Sequence, residues 1–190
     1  MKKILGLTVA ALLVMGLVGG GTWAYFSDVE TSTGNQLVAG TLDLKTDDAD
    51  GVSQTLFATN MKPGDTAGPG TIALKNAGSI GGSSLDLSFS YVESDGSPNS
   101  VDMSADATAA MLEVTTLKYD GASLLGSVSD GNGNGYKDIE DLKNADLSGQ
   151  SGINASASKE FEIAVKLRED TGNDFQADGI DVTMTFILIQ

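Results

Sequence analysis

Apolar and polar residues alternate along much of the chain, in short segments separated by Gly, Asn, Asp and Ser. In residues 83–91, Leu85, Leu87 and Phe89 fall on one face and Asp86 on the other. A period of two is typical of a strand that buries one face against a core. The same alternation predicts strands over residues 37–45, 71–76, 111–119, 160–167 and 181–190, and less regularly over 53–58. Because no strand–helix–strand rhythm is present, the pattern favours an antiparallel β-sandwich.

Two short helices interrupt the predicted strands. Residues 102–110 are rich in alanine with acidic residues near the start, and residues 138–145 place Ile139 and Leu142 on one side. A short helix with a narrow apolar stripe is typical of a connection between strands rather than of a helical layer. We therefore expect an all-β fold with one or two short helices in its connections.

The first part of the chain has the pattern of an export signal. Two lysines are followed by fifteen uncharged, mostly apolar residues, 4–18, and then by three glycines. This run is shorter than the ~20 residues that a membrane-spanning helix needs. Small residues at the −3 and −1 positions predict cleavage between Ala24 and Tyr25, which would remove residues 1–24. The alternative is an uncleaved N-terminal anchor.

The charge of the chain and the absence of two residue types limit its possible functions. The processed chain, residues 25–190, would keep 9 basic and 26 acidic residues, a net charge of −17, because Lys2 and Lys3 lie in the removed segment. Such a surface repels nucleic acids and anionic membranes. The chain contains no His and no Cys. Catalysis by a Ser-His or Cys-His pair is therefore excluded, and a zinc site would need carboxylates alone, which is unusual for that metal.

Several motifs occur in an order and spacing that point to a known family. They are GGGTWAYFSD (residues 19–28), VAGTLDL (38–44), NMKPGD (60–65), LKNAGS (74–79) and FQADGIDV (175–182). In these motifs the chain resembles the TasA/camelysin family of exported matrix proteins, whose precursors are cut by a SipW-type signal peptidase. The resemblance covers essentially the whole processed chain.

The resemblance implies a jelly-roll-like sandwich that polymerises into extracellular fibres, or pili, of the biofilm matrix by donor-strand complementation. In that arrangement the segment after the cleavage site leaves its own subunit and completes a sheet of the next. The chain would then consist of a signal peptide (1–24), a donor strand with its hinge (25–35) and a sandwich domain (36–190). Its partners would be further copies of itself and, during export, the signal peptidase.

The residue pattern supports a donor strand independently of the resemblance. In residues 25–35 one face is neutral and the other carries Asp28 and Glu30, so the neutral face can enter a groove while the acidic face stays in water. The predicted donor residues are Tyr25, Phe26, Ser27, Val29, Thr31 and Thr33.

The closing strand, residues 181–190, is the candidate for the edge that receives the donor. Its last half is apolar on both faces, and a single subunit would have difficulty covering such an edge. The predicted acceptor residues are Phe186, Ile187, Leu188 and Ile189. The alternative is a central strand of a closed sandwich.

Residues 130–141 read DGNGNGYKDIED, which fits a calcium-binding loop with ligands at positions 1, 3, 5, 7, 9 and 12 and glycine at position 6. Three carboxylates and two amides predict weak binding, with a dissociation constant of ~10⁻⁴–10⁻³ M. Asp stands at position 12, where Glu is usual, and Lys137 at position 8, where an apolar residue is usual. The alternative is a solvent-exposed turn. The predicted ligands are Asp130, Asn132, Asn134, the carbonyl of Tyr136, Asp138 and Asp141.

Three functional hypotheses follow. The first is a non-enzymatic, secreted filament subunit that assembles through its N-terminal strand. The second is a monomeric secreted or cell-surface binding module stabilised by calcium. The third is a metallopeptidase, against which the absence of histidine argues.

Overall fold

The computed structural model describes residues 27–32, 60–97 and 101–190. These residues form two antiparallel sheets of four strands each, connected in part by two short helices. The strands are β1 (Ser27–Ser32), β2 (Thr66–Lys75), β3 (Ser84–Glu93), β4 (Leu112–Tyr119), β5 (Ala122–Ser123), β6 (Leu147–Ser151), β7 (Ser158–Leu167) and β8 (Ile180–Ile189). The helices are α1 (Ala105–Ala110) and α2 (Ile139–Asn144).

Strands that are distant in the sequence lie side by side in both sheets. The first sheet has the order β1-β8-β3-β6 and the second the order β2-β7-β4-β5. All of the strand pairs are antiparallel. This architecture confirms the all-β sandwich that the alternation predicts.

The core lies between the two sheets and is built from alternate strand residues. On β8 the even-numbered residues from Ile180 to Phe186 are buried, and the odd-numbered residues between them are partly exposed. Phe161 of β7 is fully buried; its ring centroid lies 5.1 Å from that of Phe186 and 6.3 Å from that of Phe89. The aromatic contacts therefore join β7 of one sheet to β8 and β3 of the other.

Both helices start where a polar side chain caps them. The Ser104 side chain accepts a hydrogen bond from the backbone N–H of Ala107, so α1 begins after Ser104 rather than at residue 102 as predicted. Asp138 caps α2, which begins at Ile139 rather than at residue 138 as predicted, and the helix buries Ile139 and Leu142, the two residues predicted to share one side. The helices thus occupy connections between strands.

The predicted strands correspond to β2, β3, β4, β7 and β8, although β2 begins five residues before its prediction. Strands β5 and β6 are not predicted. The strands predicted at 37–45 and 53–58, like the signal peptide and its cleavage site, lie outside the described residues. Within the described ranges, no helix has both the length and the apolar character needed to cross a membrane.

Candidate functional site

The N-terminal strand β1 lies along the outer edge of β8 in the same chain. The ladder is antiparallel and runs from the pair Ser27–Ile189 to the pair Ser32–Met184. On its other side, β8 pairs with β3 over its whole length. Within the described part of the chain β1 pairs with no strand except β8, so without β1 that edge of the sheet would be open from Met184 to Ile189.

All four predicted acceptor residues lie on β8 in the stretch that pairs with β1. Phe186 is 3% exposed, and Leu188 is partly buried against the core. Ile187 and Ile189 belong to the opposite face and are partly exposed. This stretch is therefore apolar on both faces, but its inner face alone packs into the core.

The register of the ladder decides which positions of β1 belong to the core side. Asp28 pairs with Leu188 and Glu30 with Phe186, whereas Val29 pairs with Ile187. Opposed residues of an antiparallel ladder share a face of the sheet. The acidic positions of β1 are thus on the core side of this ladder. The sequence predicts the reverse, with the neutral positions inward, for a ladder between two subunits.

In the predicted calcium loop, several backbone N–H groups donate hydrogen bonds to the first residue, Asp130. The Asp130 carboxylate accepts hydrogen bonds from the backbone N–H groups of Gly133 (2.7 Å), Asn134 (3.1 Å) and Gly135 (2.9 Å). Gly135 has φ of +87°, a conformation that favours glycine, so it makes the sharp turn predicted for position 6. The loop backbone is therefore held by hydrogen bonds to Asp130 and turns sharply at Gly135.

The last two predicted ligands are buried carboxylates at the start of α2. Asp138 is 0% exposed and Asp141 is 4% exposed, and the two form a reciprocal capping box. The side-chain amides of Asn132 and Asn134 donate to Oδ2 of Asp138 at 3.1 and 2.7 Å. Asp141 also accepts from the backbone N–H of Gly131 at 2.8 Å. The side chains of three predicted ligands, Asn132, Asn134 and Asp138, are thus linked to one another by hydrogen bonds, and Asp141 is bonded to the backbone of Asp138.

Two cationic side chains attach the loop to the sandwich, and the sequence did not reveal either contact. The guanidinium carbon of Arg168 lies 4.0 Å from the ring centroid of Tyr136. Arg168 also forms a two-point hydrogen bond with Asp170, and this bond raises the pKa of the guanidinium. Lys137 donates to the backbone carbonyl of Leu125, which explains a lysine at position 8.

The loop has the donor types for a hard cation, but not all of its donors are oriented for one. Asn132 and Asn134 turn their NH₂ groups toward Asp138, and their Oδ1 atoms accept backbone hydrogen bonds. A calcium ion takes oxygen ligands only. Binding would therefore require both amides to turn their oxygens inward. The side chains fit calcium in number and chemistry after this rearrangement.

A second acidic group lies near the end of β3. Carboxylate oxygens of Glu93, Asp95 and Asp102 lie within 4.8 Å of one another, and all three residues are exposed. Desolvation and a hydrogen bond with Asp102 raise the pKa of Glu93. The sequence shows that Glu93 and Asp95 are two residues apart, but not that Asp102 joins them. Because catalytic zinc sites use histidine and this chain has none, these donors do not fit such a metal.

Comparison with known proteins agrees with the motifs. The model of the family described as camelysin metallo-endopeptidase matches residues 1–190. The major biofilm matrix component of Bacillus subtilis (strain 168) is 32% identical over 166 residues, which is 84% of this chain and 57% of that protein. The match thus spans little more than half the length of that relative. With a family model that covers it from end to end, the chain belongs to the TasA/camelysin family.

Proposed function

We propose that this chain is a structural subunit of an extracellular filament in a biofilm matrix. Its relative is named a major biofilm matrix component, which supports a structural role. The name of the family implies a peptidase metal, but the donor set of this chain does not fit a catalytic zinc. The proposed role is therefore assembly rather than catalysis.

Assembly would use the edge of β8. The observation that carries the proposal is that β1 is joined to the described sandwich through one ladder, on one edge of one sheet. A strand held in this way can be exchanged for the identical strand of a neighbouring copy, as in a domain swap. The N-terminal strand of each subunit would then complete the first sheet of the next.

The ladder within one chain is weak enough to exchange. A main-chain hydrogen bond contributes about 0.5–1.5 kcal/mol net, while ordering one residue costs about 1–2 kcal/mol. Over the six residues of β1 these contributions nearly cancel. The preference for one partner over another therefore depends on which side chains reach the core.

Export would precede assembly. We propose that a SipW-type peptidase cuts between Ala24 and Tyr25, which frees the donor strand and releases the chain from the membrane. The high negative charge of the processed chain keeps separate subunits soluble and repels them from one another.

Removal of the donor segment should abolish filaments. A processed chain that lacks residues 25–35 is expected to stay monomeric, because no strand remains to fill the edge at Met184–Ile189 of a neighbour. Negative-stain electron microscopy and analytical ultracentrifugation of the intact and shortened chains measure the effect.

A synthetic peptide of residues 25–35 provides the matched control. In excess it should cap the open edge and shorten the filaments formed by the intact chain, whereas a scrambled peptide of the same composition should not. Filaments formed by the shortened chain, or an intact chain that remains monomeric at high concentration, would contradict donor-strand assembly. The second outcome would favour a monomeric binding module.

We further propose that residues 130–141 bind calcium and that the ion stabilises the sandwich. The support lies in the position of the loop. It leads directly into α2 through the buried Asp138 and Asp141, and its Tyr136 contacts Arg168, the residue that directly follows β7. An ion bound to the folded loop would therefore hold together elements on both sheets, since α2 packs against β3 and β4.

Calcium at 10 mM should raise the free energy of unfolding by about 1.4–2.7 kcal/mol, if the dissociation constant is ~10⁻⁴–10⁻³ M. Asp130→Asn keeps one of the two oxygens that accept from the loop backbone but removes a charged ligand, so it should lose most of this gain. Thermal unfolding with calcium, or with sodium chloride at equal ionic strength, measures the effect. Asp174→Asn, at an exposed site in the short 3₁₀ helix Asn173–Phe175, is the control. An equal gain in Asp130→Asn would overturn the proposal.

A further inference from the structure

The faces of the first sheet form continuous rows across its strands. On the core side, Leu87 of β3 pairs with Phe186 of β8, and Leu85 pairs with Leu188. In the next strand, β1, the same rows continue to Glu30 and Asp28. Each of these two core-side rows thus runs from an apolar residue to another apolar residue and then to an acid.

On the outer side of the sheet, the row begins with a polar residue on β3 and ends with an apolar residue on β1. Asp86 of β3 pairs with Ile187 of β8, and Ile187 pairs with Val29 of β1. The apolar residue of β1 is therefore on the face where β3 is polar, and its acids are on the face where β3 is apolar. Charged positions on the core side of an edge strand oppose burial, because an ionised carboxylate loses its hydration there.

A shift of the ladder by one residue would reverse this arrangement. Because side chains alternate with a period of two, an odd shift moves every residue of a strand to the other face. Val29 and its odd-numbered neighbours would then lie on the core side, beside Phe186 or Leu188. Asp28 and Glu30 would lie on the outer side, in water.

We propose that β1 uses two registers: the one described here within its own subunit, and one shifted by an odd number of residues on β8 of a second copy. The first register closes the edge of a single subunit with a strand that fits it poorly. The second brings the neutral face of the strand to the core and so favours the filament. This inference rests on the proposed donor-strand assembly. It adds that the subunit's own β1 covers the edge of β8 until the β1 strand of a neighbour takes its place.

Disulfide crosslinking can distinguish the two registers. The chain contains no cysteine, so any disulfide that forms must join the cysteines introduced by substitution. A disulfide needs Cβ atoms about 3.5–4.5 Å apart, so it forms between residues on the same face of a ladder. Leu188→Cys in one copy can therefore report which residues of β1 lie on the core side.

In the separate subunit, the double variant Asp28→Cys/Leu188→Cys should form a disulfide within one chain, because these residues are paired. The locked protein should not assemble until a reductant is added. A matched double variant, Val29→Cys/Leu188→Cys, should stay reduced in the separate subunit. If the first variant forms no internal disulfide while the subunit is folded, the inference is overturned.

In the filament, single-cysteine copies are mixed. Leu188→Cys copies should crosslink to copies with Ser27→Cys, Val29→Cys or Thr31→Cys at least about ten-fold more than to copies with Asp28→Cys or Glu30→Cys, because only the former would share its face. Crosslinks to the even-numbered positions instead would overturn the change of register and leave donor-strand assembly standing. Filaments with no crosslink to any position of β1 would contradict the proposed assembly itself.

A second acceptor keeps the test decisive if Leu188→Cys disturbs the core. Ile187 is on the outer face of β8, so Ile187→Cys spares the core packing. Here the expected preference is reversed: in the filament, copies with Asp28→Cys or Glu30→Cys should crosslink, and copies with Val29→Cys should not. If Leu188→Cys and Ile187→Cys both crosslinked to the same positions of β1, the crosslinks would not report one fixed strand register. That result would overturn the inference.

Discussion

Phe161→Ala is expected to lower the free energy of unfolding by about 3–5 kcal/mol, the range for truncation of a large buried aromatic residue. Phe161 is 0% exposed and lies between Phe186 and Phe89, so the change leaves a cavity where the two sheets meet. The structure cannot fill this space without drawing β7 toward β8. Urea unfolding of the processed chain, followed by circular dichroism, measures the loss.

Ile80→Ala provides the control for this prediction. Ile80 is also a large apolar residue, but it is 59% exposed. Its truncation should change stability by no more than about 0.5 kcal/mol. If both variants lost the same amount, the aromatic contact between the sheets would not be the centre of the core.

Gly152→Ala should destabilise the fold by about 3 kcal/mol or more, at the upper end of the range for overpacking. A Cβ atom at residue 152 would lie 2.0 Å from the backbone oxygen of Gly82. That contact is with backbone, so no side chain can turn away to relieve it. The segments that follow β6 and precede β3 would have to separate, and the hydrogen bond from the N–H of Gly82 to the carbonyl of Ile153 would break.

Gly172→Ala tests whether that effect is steric. A Cβ atom at residue 172 would meet no other atom within 4 Å. Its φ of −81° also suits an alanine. The melting temperature of this variant should therefore remain within a degree or two of the parent, since ~0.5 kcal/mol is the usual limit for surface changes. A loss comparable with that of Gly152→Ala would show that close approach of the backbone is not the cause.

The strands that the sequence predicts well are those whose alternation is long and whose inner face is apolar. β3 and β8 each span ten residues with buried residues at every second position over most of their length. β6 escapes prediction because Leu147 is its one buried residue, and it is a strand because β3 lies beside it. The start of β2 is not predicted, because its Gly-Pro-Gly sequence has no alternation of apolar and polar residues. At this point the ladder with β7 changes register.

The candidate calcium loop shows the same division. Spacing alone predicts the side chains that the structure links around Asp138, and the turn at Gly135. Spacing does not predict that Asp138 and Asp141 are buried, or that Arg168 stacks on Tyr136. Those contacts join residues that are separated in the sequence, and they depend on how α2 and β7 are packed.

The sequence by itself determined the family, the all-β class and the division of each long strand into an apolar and a polar face, because those properties are local and repeat every two residues. The tertiary structure alone decided which strands are neighbours and in what register. Register is a relation between two strands, and a shift of one residue exchanges the faces of β1 without any change in its sequence. The pairing of Glu30 with Phe186 is therefore a property of the folded chain that no pattern within residues 25–35 contains.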